Sequence, residues 1–438
     1  MKKLYILGAV VCGLTACKPN IEPKAPERGD ADFSRYLAAG SSHTAGITDG
    51  SLYLDGQRNS YPLMLAQQFE SVGGGEFKQP LVAGQHGWPT GKFILDYIQG
   101  PCDTLPRVGA RLFKGALDTN GTYNNIYSQG PFGNMAFAGG KVTDYIVPAF
   151  ATTNRYAYRM FKKPTTARPV DELLLPGHTF FTLWLGIDDV MDYASTGGEV
   201  LAPPPGYRNV ITSFDDFLKS YDSVINTLTR NGAKGVVMTI PNILEMPFFT
   251  VIPPNGLELN AKDANKFNLQ YNNTQLHFDV GMNYFVIEDA KAPFGFRQLK
   301  EGEHVRMDVP IDSIKCKGWG SLVPMPARYV ITADEVTKIK TAIENYNGVI
   351  LSLGEKYNIP VADIRHYLKT VLKDGAQYNA ADYSFNFISG SFFSLDGIHF
   401  TGRGNALIAN QIIQMINYHY KSSVPMVDVN KFSGIKIP

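Results

Sequence analysis

Short apolar runs alternate with amphipathic stretches along most of this chain of 438 residues. A continuous apolar run bounded by turn residues is typical of a buried parallel strand, which predicts strands at about 34–39, 177–186, 234–240 and 359–364. Apolar residues at helical spacing predict helices at about 60–69, 213–231, 333–357 and 405–418. Strands alternating with helices indicate a parallel sheet covered by helices on both faces.

Two of the predicted helices begin with capping signals. Ser213 is a suitable N-cap, and Thr332 with Glu335 forms a capping-box pattern. One stripe of the 213–231 helix is expected to lie in the core, and it consists of Phe214, Phe217, Leu218, Tyr221, Ile225 and Leu228.

Two long regions interrupt the α/β rhythm. Residues 72–130 lack helical periodicity, and residues 248–330 mix strand-like runs with Pro and Gly. Long stretches of this kind are typical of insertions or lids. We therefore predict one main domain at 32–423 with two insertions, followed by an irregular tail at 424–438. Residues 149–176 are expected to be loop-like.

The first residues resemble a lipoprotein signal. Two lysines and a short apolar core end in Leu14-Thr15-Ala16-Cys17, which resembles the bacterial lipobox. This resemblance implies a signal peptide at 1–16, acylation of Cys17 and a Pro- and charge-rich tether at 17–31. The apolar run is too short to span a bilayer. We expect lipid attachment to the outer membrane of a bacterial envelope, on its periplasmic or outer face.

Composition excludes some partners and leaves one question open. The chain has 41 Lys and Arg against 40 Asp and Glu, so nothing suggests binding to nucleic acid. Cys102 and Cys316 remain once Cys12 and Cys17 are assigned to the leader. They could pair in an oxidising compartment if the fold brings them together, which the sequence does not decide.

Candidate chemistry lies near both ends of the main domain. Asp396 precedes His399 by three residues, so the carboxylate could orient the imidazole through one ring nitrogen while the other acts as a base. Ser42 follows the first predicted strand, where a turn would expose a nucleophile.

These segments resemble the first and last blocks of the SGNH (GDSL) hydrolase superfamily, through Gly40-Ser41-Ser42 with Thr44-Ala45-Gly46 and through Asp396-Gly-Ile-His-Phe-Thr401. The whole chain resembles secreted SGNH lipoproteins of the Bacteroidetes type. The resemblance implies a flavodoxin-like three-layer α/β/α sandwich with a parallel sheet. It also implies a serine esterase or lipase in which Ser42, His399 and Asp396 form the catalytic triad.

Two internal segments resemble the remaining blocks of the family. Asn134 is followed by a short apolar run and Gly139, whose backbone N–H the resemblance assigns to the oxyanion hole together with that of Ser42. The segment 83–87 is a competing candidate for this glycine block. Gly186-Ile-Asp188-Asp189 resembles the third block, and there Asp188 replaces the Asn that donates to the oxyanion in the family.

The substitution at Asp188 leaves three outcomes open. A protonated Asp188 could donate a hydrogen bond, or the side chain could turn away and leave a slow enzyme. Alternatively, the protein has lost hydrolysis and keeps its cleft for binding. Ser41 and His43 also depart from the family pattern, but neither makes or breaks a bond in the expected reaction.

The sequence thus predicts an esterase or lipase acting on a small-molecule, glycan or lipid ester. A carbohydrate O-deacetylase would use the same chemistry, and a non-catalytic lipoprotein that binds a glycan or lipid is the competing class. No cofactor or metal is expected, because no carboxylate or Cys stands at ligand spacing beside His43 or His86.

Overall fold

The computed structural model describes residues 25–117, 122–174, 177–199 and 209–437. Its strands, in chain order, are β1 Tyr36–Gly40, β2 Phe93–Ile98, β3 Arg107–Leu112, β4 Asn134–Ala136, β5 Phe180–Trp184, β6 Lys234–Met238, β7 Leu257–Leu259, β8 Gly281–Asn283, β9 Val286–Glu288, β10 Phe296–Gln298, β11 His304–Val305, β12 Val330–Ile331, β13 Val361–Ala362, β14 Ala376–Tyr378 and β15 Ala381–Tyr383.

The helices range from a single turn to 24 residues. They are α1 Ser42–Ala45, α2 Leu54–Arg58, α3 Tyr61–Glu70, α4 Arg155–Met160, α5 Pro169–Glu172, α6 Asp188–Ala194, α7 Phe214–Leu228, α8 Pro247–Thr250, α9 Ala261–Gln270, α10 Ile311–Lys317, α11 Ala333–Lys356, α12 Ile364–Asp374 and α13 Gly402–Tyr420. Short 3-10 helices lie at Tyr127–Gln129, Val142–Ile146, Phe150–Thr152, Arg230–Gly232, Ile243–Glu245, Ala327–Tyr329 and Val429–Lys431.

The central sheet has five parallel strands in the order β4-β1-β5-β6-β13. Numbered by their order along the chain, these strands lie 2-1-3-4-5, which is the flavodoxin-like doubly wound arrangement. Helices α3 and α13 pack together, and α7 packs against α11, as outer layers around the sheet. The predicted three-layer α/β/α sandwich is therefore confirmed.

The strongly periodic elements lie close to their predicted positions. The helix predicted at 333–357 is α11, and Thr332 with Glu335 makes the capping box. Ser213 caps α7 by accepting a hydrogen bond from the N–H of Asp216. The core stripe of α7 is only partly as predicted, since Phe217, Tyr221, Ile225 and Leu228 are buried but Phe214 and Leu218 are 47% and 37% exposed. Leu218 lies at the edge of the stripe, and Phe214 is the first residue of the helix.

Several elements depart from the prediction. Residues 150–172 include α4, α5 and a 3-10 helix instead of the expected loop, because single turns are too short to show a helical period in sequence. Helix α12 and the hairpin β14–β15 follow the last core strand without having been predicted.

Small two-stranded sheets lie within both predicted insertions. Strands β2 and β3 form an antiparallel hairpin in the first. The second contains β7–β8 and β9–β10, and β11 pairs with β12 at its end. A disulfide joins Cys102 in the hairpin loop to Cys316 in α10, with 5.8 Å between the Cα atoms. The question of whether these cysteines pair is thereby answered. The division into domain and insertions stays a prediction.

The two ends of the described domain lie side by side. The N–H of Asp30 donates to the carbonyl of Tyr420 at 2.8 Å, and the N–H of Ser423 donates to the carbonyl of Glu27 at 2.8 Å. The first contact lies near Lys234, the first residue of β6, whose ammonium donates to the carbonyl of Asp30. The predicted signal peptide and Cys17 are outside the described residues. Within those residues, no helix is long and apolar enough to cross a membrane.

Candidate active site

The candidate residues meet at the carboxyl end of the sheet. Gly40, Ala136 and Trp184 lie side by side at the ends of β1, β4 and β5. The chain then continues from these strands to Ser42, Gly139 and Asp188 respectively. In doubly wound sheets, ligands bind at this edge, where neighbouring crossover connections diverge. The fold therefore gathers three loops from different parts of the chain at one position.

Ser42 begins the single-turn helix α1 directly after β1. Its hydroxyl oxygen accepts a hydrogen bond from the backbone N–H of Gly139 at 2.9 Å. The hydroxyl in turn donates to Asp188, whose two carboxylate oxygens are each 3.3 Å from Ser42 Oγ. The backbone N–H of Ser42 makes no hydrogen bond within the described chain, as expected for the first residue of a helical turn.

Gly139 adopts a left-handed backbone conformation, with φ of 69°. A side chain there would have open space but would pay the strain of that conformation. This conformation aims the N–H at Ser42. The competing segment 83–87 makes no contact with the Ser42 hydroxyl, whose partners in the described structure are Gly139 and Asp188.

Asp189 stabilises the loop that follows Gly139 through buried hydrogen bonds. It is fully buried and accepts from the N–H of Val142 at 3.0 Å and from the hydroxyl of Thr212 at 2.6 Å. Burial raises the pKa of Asp189 to about 6, although both hydrogen bonds and nearby Lys141 oppose the rise. The second Asp of the pair therefore supports the loop, while the first, Asp188, faces Ser42.

Asp396 and His399 form a close pair on a tight loop before α13. His399 Nδ1 is 2.8 Å from Asp396 Oδ2, and the other carboxylate oxygen accepts from the backbone N–H groups of Ile398 and His399 at 2.8 Å. Burial alone would raise the pKa of Asp396, but the charge of His399 and these hydrogen bonds hold it well below its usual range. Asp396 is thus an ionised carboxylate fixed in place.

The tight loop depends on Gly397. Its φ is 70°, and an added Cβ would lie 2.7 Å from the backbone nitrogen of Phe248. The N–H of Phe248 donates to the Gly397 carbonyl at 3.0 Å. Only glycine therefore lets the loop that carries Asp396 and His399 pack against the start of the second predicted insertion.

A two-residue turn at Asp49-Gly50 fixes Asp396 from the other side. Both turn residues have positive φ, as a type I′ turn requires. The N–H of Gly50 donates to Asp396 Oδ2 at 2.5 Å. In return, the Asp49 carboxylate accepts from the N–H of Leu395 at 3.0 Å and from the hydroxyl of Tyr53 at 2.8 Å. Sequence reasoning missed this support, although an Asp-Gly pair is a recognisable turn signal.

His43 lies against His399, with 4.7 Å between the ring centroids. Its Nε2 is 3.3 Å from the carbonyl of Ile398, and its buried Nδ1 has no hydrogen-bond partner among the described residues. Burial and the neighbouring His399 lower the pKa of His43 to about 3. A neutral ring is therefore packed against the candidate base. The sequence analysis considered His43 as a departure from the family pattern and as a metal ligand, but not as a neighbour of the candidate base.

Ser42 and His399 share this site but do not touch through a hydrogen bond. In the described structure, Ser42 Oγ bonds to Gly139 and Asp188, and the His399 ring bonds to Asp396. His43, which follows Ser42 in the chain, has its ring centroid 4.7 Å from that of His399. For the Ser42 hydroxyl to donate to His399, its hydrogen bond to Asp188 would have to break.

A cavity of about 1040 Å³ opens beside His399. Its wall includes Phe93 and Val108 from the hairpin β2–β3, with Phe248 and Met307 from the other predicted insertion. His399 and Asp396 line its inner end. Ligand sites in proteins typically have volumes of about 300–1,000 Å³, so this space can hold a sizeable small molecule.

The described residues contain no group of three or more His, Cys, Asp or Glu side chains placed to hold a metal ion. The polar groups that do converge are a hydroxyl, an oriented imidazole and backbone N–H donors. Together they can support nucleophilic attack by an oxygen and proton transfer.

Comparison with known proteins gives only distant likenesses. No family model and no curated protein matches the chain. Among solved structures, a lipase/acylhydrolase from Enterococcus faecalis has a TM-score of 0.33 and 11% identity over 90% of this chain and 100% of its own. An acetyl xylan esterase has a TM-score of 0.33 and 13% identity, over 86% of this chain and 98% of its own. An extracellular lipase from Streptomyces rimosus has a TM-score of 0.34 and 10% identity, over 87% of this chain and 98% of its own. At these values the likenesses do not bear on the activity of this chain.

Proposed function

We propose that this protein is a serine hydrolase that cleaves carboxylic esters through an acyl-enzyme. The observation that carries the proposal is the His399–Asp396 pair, in which a buried carboxylate holds Nδ1 at 2.8 Å. This bond leaves Nε2 as the basic nitrogen. The pair lies at the same sheet edge as a serine hydroxyl that accepts a backbone N–H at 2.9 Å.

In the proposed reaction, Ser42 Oγ turns from Asp188 toward His399 and attacks the ester carbonyl carbon as its proton passes to Nε2. The carbonyl oxygen becomes an oxyanion, for which the N–H groups of Ser42 and Gly139 are the available backbone donors. The bond to the alcohol then breaks as His399 returns the proton to the leaving oxygen. Water attacks the acyl-enzyme in the same manner and releases the acid.

The surroundings of the imidazole favour this sequence of steps. Asp396 stays ionised and stabilises the imidazolium that forms when His399 takes the proton. The neighbouring ring of His43 is neutral because burial lowers its pKa to about 3, so it does not repel that imidazolium. The Asp49-Gly50 turn keeps Asp396 in position throughout.

A fluorophosphonate probe and p-nitrophenyl acetate test the proposal. The mature soluble protein should be labelled and should release p-nitrophenol, and Ser42→Ala or His399→Ala should abolish labelling and lower turnover by about 10³-fold or more. Ser41→Ala is the matched control, because Ser41 is the adjacent buried serine and its side chain caps nothing. Labelling that persists in Ser42→Ala would refute the assigned nucleophile.

The competing proposal is a binding protein on the same fold. It is favoured by one observation, namely that the Ser42 hydroxyl donates to Asp188 and makes no bond to His399. A carboxylate next to a developing oxyanion opposes hydrolysis. If neither the probe nor the aryl ester reacts with the folded protein, the binding proposal stands.

We also propose that Cys17 is acylated and holds the protein at the outer membrane of a bacterial envelope. The lipobox-like sequence before it supports this proposal. Cells fed radiolabelled palmitate should yield a labelled protein in the membrane fraction, and Cys17→Ser should remove the label. Unchanged labelling of the Cys17→Ser protein would contradict the proposed anchor.

A further inference from the structure

The cavity beside His399 is asymmetric with respect to the candidate machinery. His399, Asp396 and Ile398 line it. Ser42, Gly139 and Asp188, which surround the position of the reacting carbonyl, are absent from its lining in the described structure. The cavity therefore adjoins the imidazole side of the site.

The imidazole side is where the leaving group must lie. In a serine hydrolase the ring returns its proton to the alcohol oxygen that departs, so this oxygen comes within hydrogen-bonding distance of the ring. The acyl carbonyl lies instead beside the backbone donors. A group that extends from the leaving oxygen past His399 would enter the cavity.

The wall of the cavity selects an apolar group. Aromatic and aliphatic side chains dominate it, including Phe93, Val108, Phe248, Val251, Met307 and Ile388. Charged residues, among them Arg107 and Asp312, lie along the part formed by the hairpin and α10. An alkyl or aryl alcohol would bury apolar surface here, whereas a sugar hydroxyl would find few partners along this wall.

Two segments that are far apart in sequence form adjoining parts of this wall, and a disulfide joins them. Gly100 and Asp312 both line the cavity, and a Cβ on Gly100 would lie 2.2 Å from Asp312 Oδ1. Cys102 and Cys316 form their disulfide close by, and Lys315 pairs with Asp103 at 2.5 Å. The spacing of the hairpin from α10 is thus fixed.

We propose that this cavity is the subsite for an apolar leaving alcohol, and that the Cys102–Cys316 disulfide sets its width. The inference rests on the proposed ester hydrolysis, whose alcohol it identifies by chemical class. It places selectivity in the alcohol part of the ester and leaves the acyl part to the opposite side of the site.

Two ester series test the assignment. Ethyl, butyl and octyl acetate vary the alcohol, and ethyl acetate, butyrate and octanoate vary the acid. We expect kcat/KM to rise at least tenfold from ethyl to octyl acetate, with a change below threefold in the second series. A rise confined to the acid series would overturn the proposal.

Val108→Trp should fill the cavity from the hairpin. We expect a loss of at least tenfold in kcat/KM for octyl acetate and a smaller loss for ethyl acetate, because the shorter alcohol extends less far into the cavity. Leu112→Trp is the matched control, because Leu112 lies on the same strand, is 39% exposed compared with 43% for Val108, and does not line the cavity. Reduction of the disulfide with dithiothreitol should also lower kcat/KM for octyl acetate more than kcat/KM for ethyl acetate. An equal loss for both esters in Val108→Trp would count against the subsite.

Calorimetric measurement of 1-octanol binding to Ser42→Ala separates this inference from the proposed function. Binding that Val108→Trp abolishes, without turnover of any ester by the wild type, would keep the apolar site and refute the hydrolase. Turnover of ethyl acetate that depends on Ser42, without octanol binding or alcohol-length preference, would keep the hydrolase and refute the subsite.

Discussion

Asp188 accepts the hydroxyl hydrogen bond of Ser42 with both of its carboxylate oxygens 3.3 Å from Ser42 Oγ. The proposed nucleophile is therefore held by a negative charge at the place where the reaction would build another. Among the described residues, the hydroxyl donates to Asp188 and not to the candidate base. Asp188 consequently opposes the proposed reaction in two ways, by holding the proton of Ser42 and by repelling the oxyanion.

Asp188→Asn should raise ester turnover. The change removes the charge and supplies an amide N–H that can donate to the oxyanion, and one such donor contributes about 10²–10³-fold in rate. We expect kcat for p-nitrophenyl acetate to increase by about 10²-fold. Asp188→Ala removes the charge without adding a donor, so it should give a smaller gain. Equal or lower activity of Asp188→Asn compared with the wild type would contradict this role of Asp188.

Asp49 should act as a positioning residue for the Asp396 loop. Asp49→Ala leaves the N–H of Leu395 and the hydroxyl of Tyr53 without their acceptor, which costs about 1–3 kcal/mol where such groups are buried. We expect kcat to fall about tenfold with little change in KM. Asp49→Asn should restore most of the rate, because its amide oxygen can still accept from Leu395 and Asn tolerates positive φ.

A purely structural role of Asp49 would give a different result. Both variants would then lower the free energy of unfolding, measured in urea, while the folded fraction kept its full kcat. Asp55→Asn serves as the control, since Asp55 lies in the nearby helix α2 and bonds to Gln85 away from the Asp396 loop.

His43 should make stability depend on pH. Its pKa is about 3 in the folded protein against an ordinary 6.5, so the folded state binds fewer protons than the unfolded state between these values. Stability is therefore complete above about pH 6.5 and is lost as the pH falls toward 3, by at most about 1.4 kcal/mol per pH unit. Burial also lowers the pKa of His178 and His304, which adds to the same trend.

His43→Leu isolates this contribution. Urea unfolding of both proteins at pH 7, 5.5 and 4 should show a smaller loss of stability with falling pH in the variant, because Leu binds no proton in either state. Parallel curves for the two proteins would show that His43 is not kept neutral by the fold.

The disulfide should contribute measurably to stability. The bond closes a loop with a sequence separation of 214 residues, and disulfides typically contribute about 2–4 kcal/mol. Cys102→Ser and Cys316→Ser should each lower the midpoint of thermal unfolding, and the double variant should match them because one bond is lost in every case. Dithiothreitol should lower the midpoint of the wild type by the same amount and leave the variants unchanged. A midpoint of the double variant below those of the single variants would contradict a bond between these two cysteines.

Gly139 and Asp188 were assigned from the resemblance of their segments to the family's blocks, and in the structure each of them, like Ser42, comes after a strand of one parallel sheet. Strand order and register then bring their loops together at the carboxyl end. Apolar runs and helical periods are local signals, so the sheet and its long helices could be predicted. The prediction that the His399 loop reaches this edge of the sheet rested on the resemblance of residues 396–401 to the last block of the family.

The supporting contacts could not be predicted, because they join residues that only the fold brings together. The bond from Gly50 to Asp396 spans 346 positions, and no local pattern specifies such a partner. The hairpin β2–β3 and the disulfide were missed or left open for the same reason. Phe214 was assigned to the core from helical spacing alone, but the neighbouring layer does not cover that end of the helix.

The pairing of residues 27–30 with 420–423 lies at the end of the sheet remote from Ser42. Strand β1 starts close to this junction and runs away from it, so Ser42 lies at the opposite end of the sheet. At about 3.3 Å per residue, the five residues of β1 alone separate the two ends by about 16 Å. A molecule held through Cys17, as proposed, would therefore join its described domain at the end of the sheet remote from Ser42.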